Sequence, residues 1–193
     1  MSAISPIHSE GVMNITEENI SRARHIKLLL MDCDGVLTDG GLHYTFDGKR
    51  VMEGAKVFHI HDGQGLKFAR EAGLKLGIIS GRISPALIAR ARELQIDRLH
   101  QGIDDKLSIY EQIKIADGFA DDEIAYVGDD LPDLPVMRRV GLAIAVADAV
   151  DEIRECAHFV TNKPGGRGAA REAVELILKA QDKWRESLQR FFV

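Results

Sequence analysis

Six short apolar runs, each followed by a helix-like stretch, restrict this chain to a narrow set of folds. The runs are 26–32 (IKLLLMD), 75–80 (KLGIIS), 98–100 (RLH), 124–128 (IAYVG), 141–146 (GLAIAV) and 157–160 (AHFV). The helix-like stretches occupy 63–73, 84–94, 105–116, 131–138, 148–155 and 168–181. A helix between successive strands makes those strands parallel, and near-continuous apolar runs suit strands buried on both faces. The expected fold class is α/β: a three-layer, Rossmann-like core whose central parallel sheet is covered by helices on both sides.

One interval breaks the rhythm. From Asp39 to Lys56 the chain reads DGGLHYTFDGKRVMEGAK, two alternating runs around Asp47-Gly48. That dipeptide is a strong hairpin signal, so a β-hairpin is expected to project as a flap directly after a cluster of acids. At 193 residues and 45% hydrophobic composition, the chain fills one core and is short for two. Residues 1–22 read as an N-terminal arm and short helix, the helix starting at Thr16-Glu17-Glu18. Residues 23–181 read as a single domain with the flap at about 40–57, and 182–193 as a C-terminal helix or tail. There Trp184, Leu188, Phe191 and Phe192 recur at helical spacing, which suits docking or an interface.

The formal net charge of −5 and the absence of a dense basic run argue against nucleic acid and anionic membranes as partners. No apolar stretch approaches the ~20 residues of a membrane span. The N-terminus lacks the basic and apolar regions of a secretory signal. Cys33 and Cys156 lack metal-ligand spacing and fit a reducing compartment. A soluble, cytoplasmic protein is expected.

In open α/β sheets ligands bind beyond the carboxyl ends of the strands. The residues placed there are Asp32 and Asp34, Ser80-Gly81-Arg82, and Gly128-Asp129-Asp130; Lys106, at a helix start after a short strand, joins them. Converging carboxylates repel one another, and burial makes this worse. A hard cation such as Mg²⁺, which takes one or two carboxylates with waters and a phosphate, relieves the repulsion. Ser80 and the N–H groups of Gly81 and Arg82, ahead of a helix opening at Ser84-Pro85, suit a phosphate cradle. Lys106 adds a compact positive charge. This set suits phosphoryl transfer through an acyl-phosphate: Asp32 attacks phosphorus, and Asp34 serves as acid and then base. Cys33, between the acids, reads as a small core residue rather than a catalytic thiol. His59 and His61, alternating as on a strand, read equally as structural or as substrate contacts.

DCDGVLTDG resembles the first motif of the haloacid dehalogenase superfamily; IISGR, Lys106 and GDDLPD resemble its second, third and fourth. KVFHIHDGQGL, IISGRIS, VGDDLPDLPVM, VGLAIAVADA and GGRGAARE narrow the likeness to the 3-deoxy-D-manno-octulosonate (KDO) 8-phosphate phosphatases, from about Ile26 to Gln181. The resemblance implies a Mg²⁺-dependent phosphatase with Asp32 as nucleophile and metal ligand. Asp34 would be the acid/base with its backbone carbonyl on the metal, Asp129 the third protein ligand, and Asp130 and Asp133 would orient the metal's surroundings. Asp133 also reads as a plain helix cap. Ser80 and Lys106 would hold the transferring group. The implied substrate contacts are Asp34, Lys56, His61, Asp62, Gly63, Gly81, Arg82, Lys106 and Arg167, the last near a neighbouring subunit's site.

Where the family often has Phe-x-Val-Arg-Asp-Gly, this chain reads Phe58-His59-Ile60-His61-Asp62-Gly63. His61 is a pH-sensitive replacement for an arginine, which leaves related nine-carbon keto-acid phosphates, or broad sugar-phosphate specificity, as alternatives. The intervals Asp34–Ser80 and Arg82–Lys106 leave no room for a cap domain. The resemblance implies a homotetramer whose subunits cover one another's sites. A receiver-like phosphoacceptor domain is the non-enzymatic alternative, although receivers lack a DxD whose second acid can drive turnover.

Overall fold

The structure, a computed structural model, describes residues 15–192; the N-terminal arm lies outside them. The chain opens with helix α1 (Glu17–His25), whose first turn is capped by Thr16 Oγ1, which accepts from Asn19 N at 3.1 Å. Strand β1 (Leu28–Met31) follows and is buried along its whole length. Its four side chains are apolar on both faces, so it runs through the middle of a sheet rather than along an edge.

The acid cluster comes next, and then the hairpin, β2 (Tyr44–Phe46) and β3 (Val51–Glu53), paired antiparallel as expected. Asp47 Oδ1 accepts the Lys49 and Arg50 N–H groups and shapes the turn. Leu42, Tyr44, Phe46 and Val51 are exposed on this flap.

Helix α2 (Ile60–Glu71) begins three residues earlier than the apolar pattern indicates. His59 is its N-cap residue and its carbonyl accepts the Gly63 N–H at 3.2 Å. The strand-like alternation expected of His59 and His61 is therefore corrected: both lie at a helix start, their rings edge to face at 4.9 Å. Then come β4 (Lys75–Ser80), α3 (Pro85–Leu94), β5 (Arg98–Gln101), α4 (Lys106–Asp117) and β6 (Ile124–Gly128). The helix expected over 131–138 is broken into a 3₁₀ turn, Leu131–Asp133, and the short α5 (Leu134–Met137). Pro132 and Pro135 each remove an N–H donor there. The chain ends with β7 (Leu142–Ala145), α6 (Asp151–Cys156), β8 (Phe159–Val160), α7 (Ala169–Ala180) and α8 (Trp184–Leu188).

Six strands form one sheet in the order β5-β4-β1-β6-β7-β8, every neighbouring pair parallel. The fold is thus the expected α/β core with a hairpin flap and, among the described residues, no cap domain. From central β1 the chain winds outward through β4 and β5, then returns past β1 to β6. The carboxyl ends of β1, β4 and β6 meet at this reversal, where such folds bind ligands. Helices α2 and α7 pack together on one face. The C-terminal segment closes over α2: Trp184 and Phe191 meet the Phe68 ring edge to face at 5.6 and 5.9 Å. No helix among the described residues is long and apolar enough to cross a membrane.

Candidate active site

β1 delivers Asp32 at its carboxyl end, where the Asp32 N–H still donates to Val127 O of β6 at 3.0 Å. The chain then turns sharply at Gly35, with φ +94°. A Cβ on Gly35 would lie 1.9 Å from Asp129 Oδ2, so this glycine admits the carboxylate delivered by β6. Asp32, Asp129 and Asp133 each place a carboxylate oxygen within 4.8 Å of the others.

Lys106 stands at the first turn of α4, buried, with Nζ 3.0 Å from Asp32 Oδ2 and 2.7 Å from Asp133 Oδ1. Asp133, fully buried, is the hub of the site. Its Oδ1 also accepts the Tyr126 hydroxyl at 2.7 Å, and its Oδ2 accepts the N–H groups of Asp129 and Asp130 at 3.0 and 3.4 Å. The simple helix-cap reading of Asp133 is corrected accordingly, because its carboxylate fixes the Asp129 loop and the Lys106 ammonium together.

The electrostatics follow from burial. Burial pushes the Asp32 carboxyl up to about 7, reinforced by Asp133 and opposed by Lys106 and the Cys33 N–H. Asp129 is pushed up to about 8 by burial, then by Asp133 and Asp32. Burial works against the Lys106 charge, yet Asp133 and Asp32 outweigh it and hold the ammonium above its usual range. One cation thus stands among three acids, and Asp129 Oδ1 is buried with no hydrogen-bond partner among the described residues. Hard oxygen donors short of positive charge fit a divalent cation. The Asp34 side chain is outside this cluster: its Oδ1 meets the Lys56 ammonium and lies 3.4 Å from Thr38 Oγ1.

A cleft of about 280 Å³ opens over these groups, lined by Asp32, Asp34, Ser80, Gly81, Arg82, Lys106, Asp129 and Asp130. Ile103, Asp104 and Pro132 complete it; Ile103 and Asp104 carry no motif, Pro132 lies within GDDLPD, and the sequence reading singled out none of the three. The Arg82 N–H, expected in a phosphate cradle, lies 3.3 Å from Ser80 Oγ, and both residues line the cleft. A larger cavity of about 550 Å³ lies between the end of α2 and the C-terminal segment, lined by Glu71, Lys183 and Arg190 among others. It lacks the acid cluster.

The remaining expected contacts lie outside this cleft. Lys56 is paired with Asp34. His61 is exposed at the start of α2. Arg167 reaches Asp39 of its own chain, with Nη2 to Oδ2 at 3.2 Å. Asp62 and Gly63 are likewise away from the cleft: the buried Asp62 carboxylate accepts the N–H groups of Gly168 at 3.1 Å and Arg171 at 2.8 Å. A Cβ on Gly63 would lie 2.1 Å from Arg90 Nη2, so that position accommodates a neighbouring side chain. Cys33 is fully buried among core residues, and burial followed by Asp34 pushes its thiol far up, as a packing residue requires. Tyr126 was not foreseen, since an aromatic in a buried strand reads as core.

The chain is similar to known proteins in sequence and fold. A family profile described as haloacid dehalogenase-like hydrolase matches residues 99–172. The 3-deoxy-D-manno-octulosonate 8-phosphate phosphatase of Yersinia pestis is 41% identical over 169 residues, 88% of each chain. A probable YrbI family phosphatase from Pseudomonas syringae superposes with a TM-score of 0.88 at 43% identity, covering 92% of this chain and 99% of that one. The Moraxella catarrhalis 3-deoxy-D-manno-octulosonate 8-phosphate phosphatase, solved with magnesium, phosphate and KDO, superposes with a TM-score of 0.87 at 40% identity, covering 91% and 99%. Likeness of this degree along nearly the whole chain places it in the 3-deoxy-D-manno-octulosonate 8-phosphate phosphatase family of haloacid dehalogenase-like hydrolases.

Proposed function

We propose that this chain is a Mg²⁺-dependent phosphatase that converts KDO 8-phosphate to KDO and inorganic phosphate through an aspartyl-phosphate on Asp32. The observation that carries the reading is the convergence of Asp32, Lys106 and Asp129 on one cleft, with Asp34 at its edge. Asp32, Asp129 and the Asp34 carbonyl would hold Mg²⁺, whose charge offsets that of the acids and of the phosphate oxygens. An Asp32 oxygen attacks phosphorus while the ester oxygen departs with a proton from Asp34. Asp34 then takes a proton from water, whose oxygen attacks phosphorus and frees Asp32. Lys106 steadies the Asp32 carboxylate and the transferring group. Ser80, which lines the same cleft, donates to a phosphate oxygen.

The described residues include no cap domain, and the flap exposes Tyr44, Phe46 and Val51. Water exclusion matters to phosphoryl chemistry, which favours a homo-oligomer in which neighbouring subunits close each site; the number four rests on the family resemblance. The test is phosphate release with Mg²⁺ from KDO 8-phosphate, nine-carbon keto-acid phosphates and hexose phosphates, alongside Asp32→Asn. Preference for the eight-carbon acid, abolished in the variant, is expected. Preference for a nine-carbon acid would reassign the substrate and direct attention to His61. Equal turnover of all would make the enzyme a broad phosphatase. A stable phosphoprotein without turnover would favour the phosphoacceptor reading.

A further inference from the structure

The segment His61-Asp62-Gly63-Gln64-Gly65 lies outside the cleft, yet its Asp62 and Gly65 are tightly engaged. Asp62 is buried, and both of its oxygens are taken up by backbone N–H groups at the start of α7, those of Gly168 and Arg171. A Cβ on Gly65 would lie 3.0 Å from Arg171 Cα, so this glycine lets α7 approach α2 closely.

The loop ahead of α7 is itself pressed onto the acid loop. Gly166 N donates to Val36 O at 2.9 Å. A Cβ on Gly165 would lie 1.7 Å from Gly35 O, and one on Gly166 2.4 Å from Asp39 N. Gly165 N is held from its other side by Asp148 Oδ1 at 2.9 Å. Between these contacts sits Thr38, whose N–H donates to Cys33 O at 3.0 Å and whose hydroxyl lies 3.4 Å from Asp34 Oδ1.

We infer that Asp62 is a positioning residue: it latches the Gly165–Gly168 loop, which in turn braces the Gly35–Thr38 turn and sets the attitude of Asp34. Asp62 touches no substrate in this assignment. The inference rests on the proposed acid/base role of Asp34, and leaving-group chemistry separates the two. An alkyl phosphate needs its departing oxygen protonated; p-nitrophenyl phosphate, with an acidic leaving group, needs this far less. The comparison is made on kcat/KM, which reports the steps through phosphoryl transfer to Asp32.

The experiment measures kcat/KM for KDO 8-phosphate, glycerol phosphate and p-nitrophenyl phosphate in Asp62→Asn, Asp148→Ala and Asp34→Asn, with hydrogen exchange across residues 35–39 and 165–168. In Asp62→Asn both alkyl esters should lose roughly tenfold or more while the aryl ester loses clearly less. Asp148→Ala, at an exposed position, should give the same pattern more mildly and supplies the test if Asp62→Asn does not fold. Exchange should quicken in both segments together. Loss confined to KDO 8-phosphate would make Asp62 a substrate contact and overturn the inference. Equal loss on all three esters would make it a purely structural residue and overturn it as well. If Asp34→Asn loses no more on alkyl than on aryl esters, the acid/base assignment fails; coupled exchange would still support the brace, and quickening limited to 165–168 would refute it.

Discussion

Lys106 Nζ stands 3.0 Å from Asp32 Oδ2 and is held there from behind by Asp133. The lysine is thus a counter-charge for buried acids, and on the proposed mechanism it has a second duty as a cation for the transferring phosphate. Removing it leaves Asp32 and Asp133 buried without their partner. Lys106→Met is expected to lower kcat by about 10²–10³-fold, the scale of losing one electrostatic stabiliser. Metal-free, the variant should lose about 3–5 kcal/mol of stability, as when one member of a buried pair is deleted. Steady-state kinetics and urea unfolding test the two duties separately. A stable variant with near-normal turnover would contradict both.

The metal-free protein should be less stable at alkaline pH. Asp129 and Asp32 are held up to about 8 and about 7, against a usual carboxyl value of 3.8 in the unfolded chain. Between roughly pH 4 and 8 the native state thus binds more protons at these sites, and their contribution to stability falls as pH rises. His100 and His158, held low by burial, act in the opposite sense. The difference between wild type and Asp129→Asn therefore isolates the effect. Urea midpoints at pH 5 and pH 8 should show wild type losing stability relative to this variant. Mg²⁺, which replaces the protons, should shrink the difference. A relative gain at pH 8 without metal would refute the assignment.

Gly35 combines a positive φ with a Cβ direction aimed at Asp129 Oδ2. Gly35→Ala meets both penalties, since an L side chain disfavours that backbone and the carboxylate must move. Loss of activity and of Mg²⁺-induced stabilisation is expected, both readable by thermal melts with and without the ion. A variant still stabilised by Mg²⁺ as strongly as wild type would show that Asp129 tolerates displacement.

Tyr126→Phe deletes one donor to Asp133 while leaving Lys106 in place. The expected cost is about 1–2 kcal/mol of stability. The loss of kcat should be smaller than that of Lys106→Met, because Asp133 keeps its other three donors. A loss of kcat equal to that of the lysine variant would make the hydroxyl indispensable to the hub.

Asp32, Ser80, Lys106 and Asp129 were legible in the sequence because each follows a strand or opens a helix at the end of the sheet where ligands bind. That placement follows from the order of elements alone. The hairpin was legible from Asp47-Gly48. Asp62 and Tyr126 were not, for different reasons. Asp62 was grouped with substrate contacts through the motif around it, while its N–H partners lie 106 and 109 residues along the chain. Tyr126 hides a hydrogen-bonding role within a run that reads as plain core. His59 and His61 misled because three residues of alternation resemble a strand until the helix that follows claims them.

The contact between Asp62 and the α7 start has a consequence for how the enzyme comes into being. A chain emerging from the ribosome presents its acid loop early, yet Gly168 follows Asp62 by 106 residues. Domains fold as synthesis proceeds, and contacts of such separation close late. Asp32, Asp34 and Lys106 are then all made well before the element that, in the inferred brace, steadies the turn carrying Asp34. Turnover should accordingly be among the last native properties to appear during refolding, no earlier than the docking of Trp184 against Phe68, a contact of similar separation.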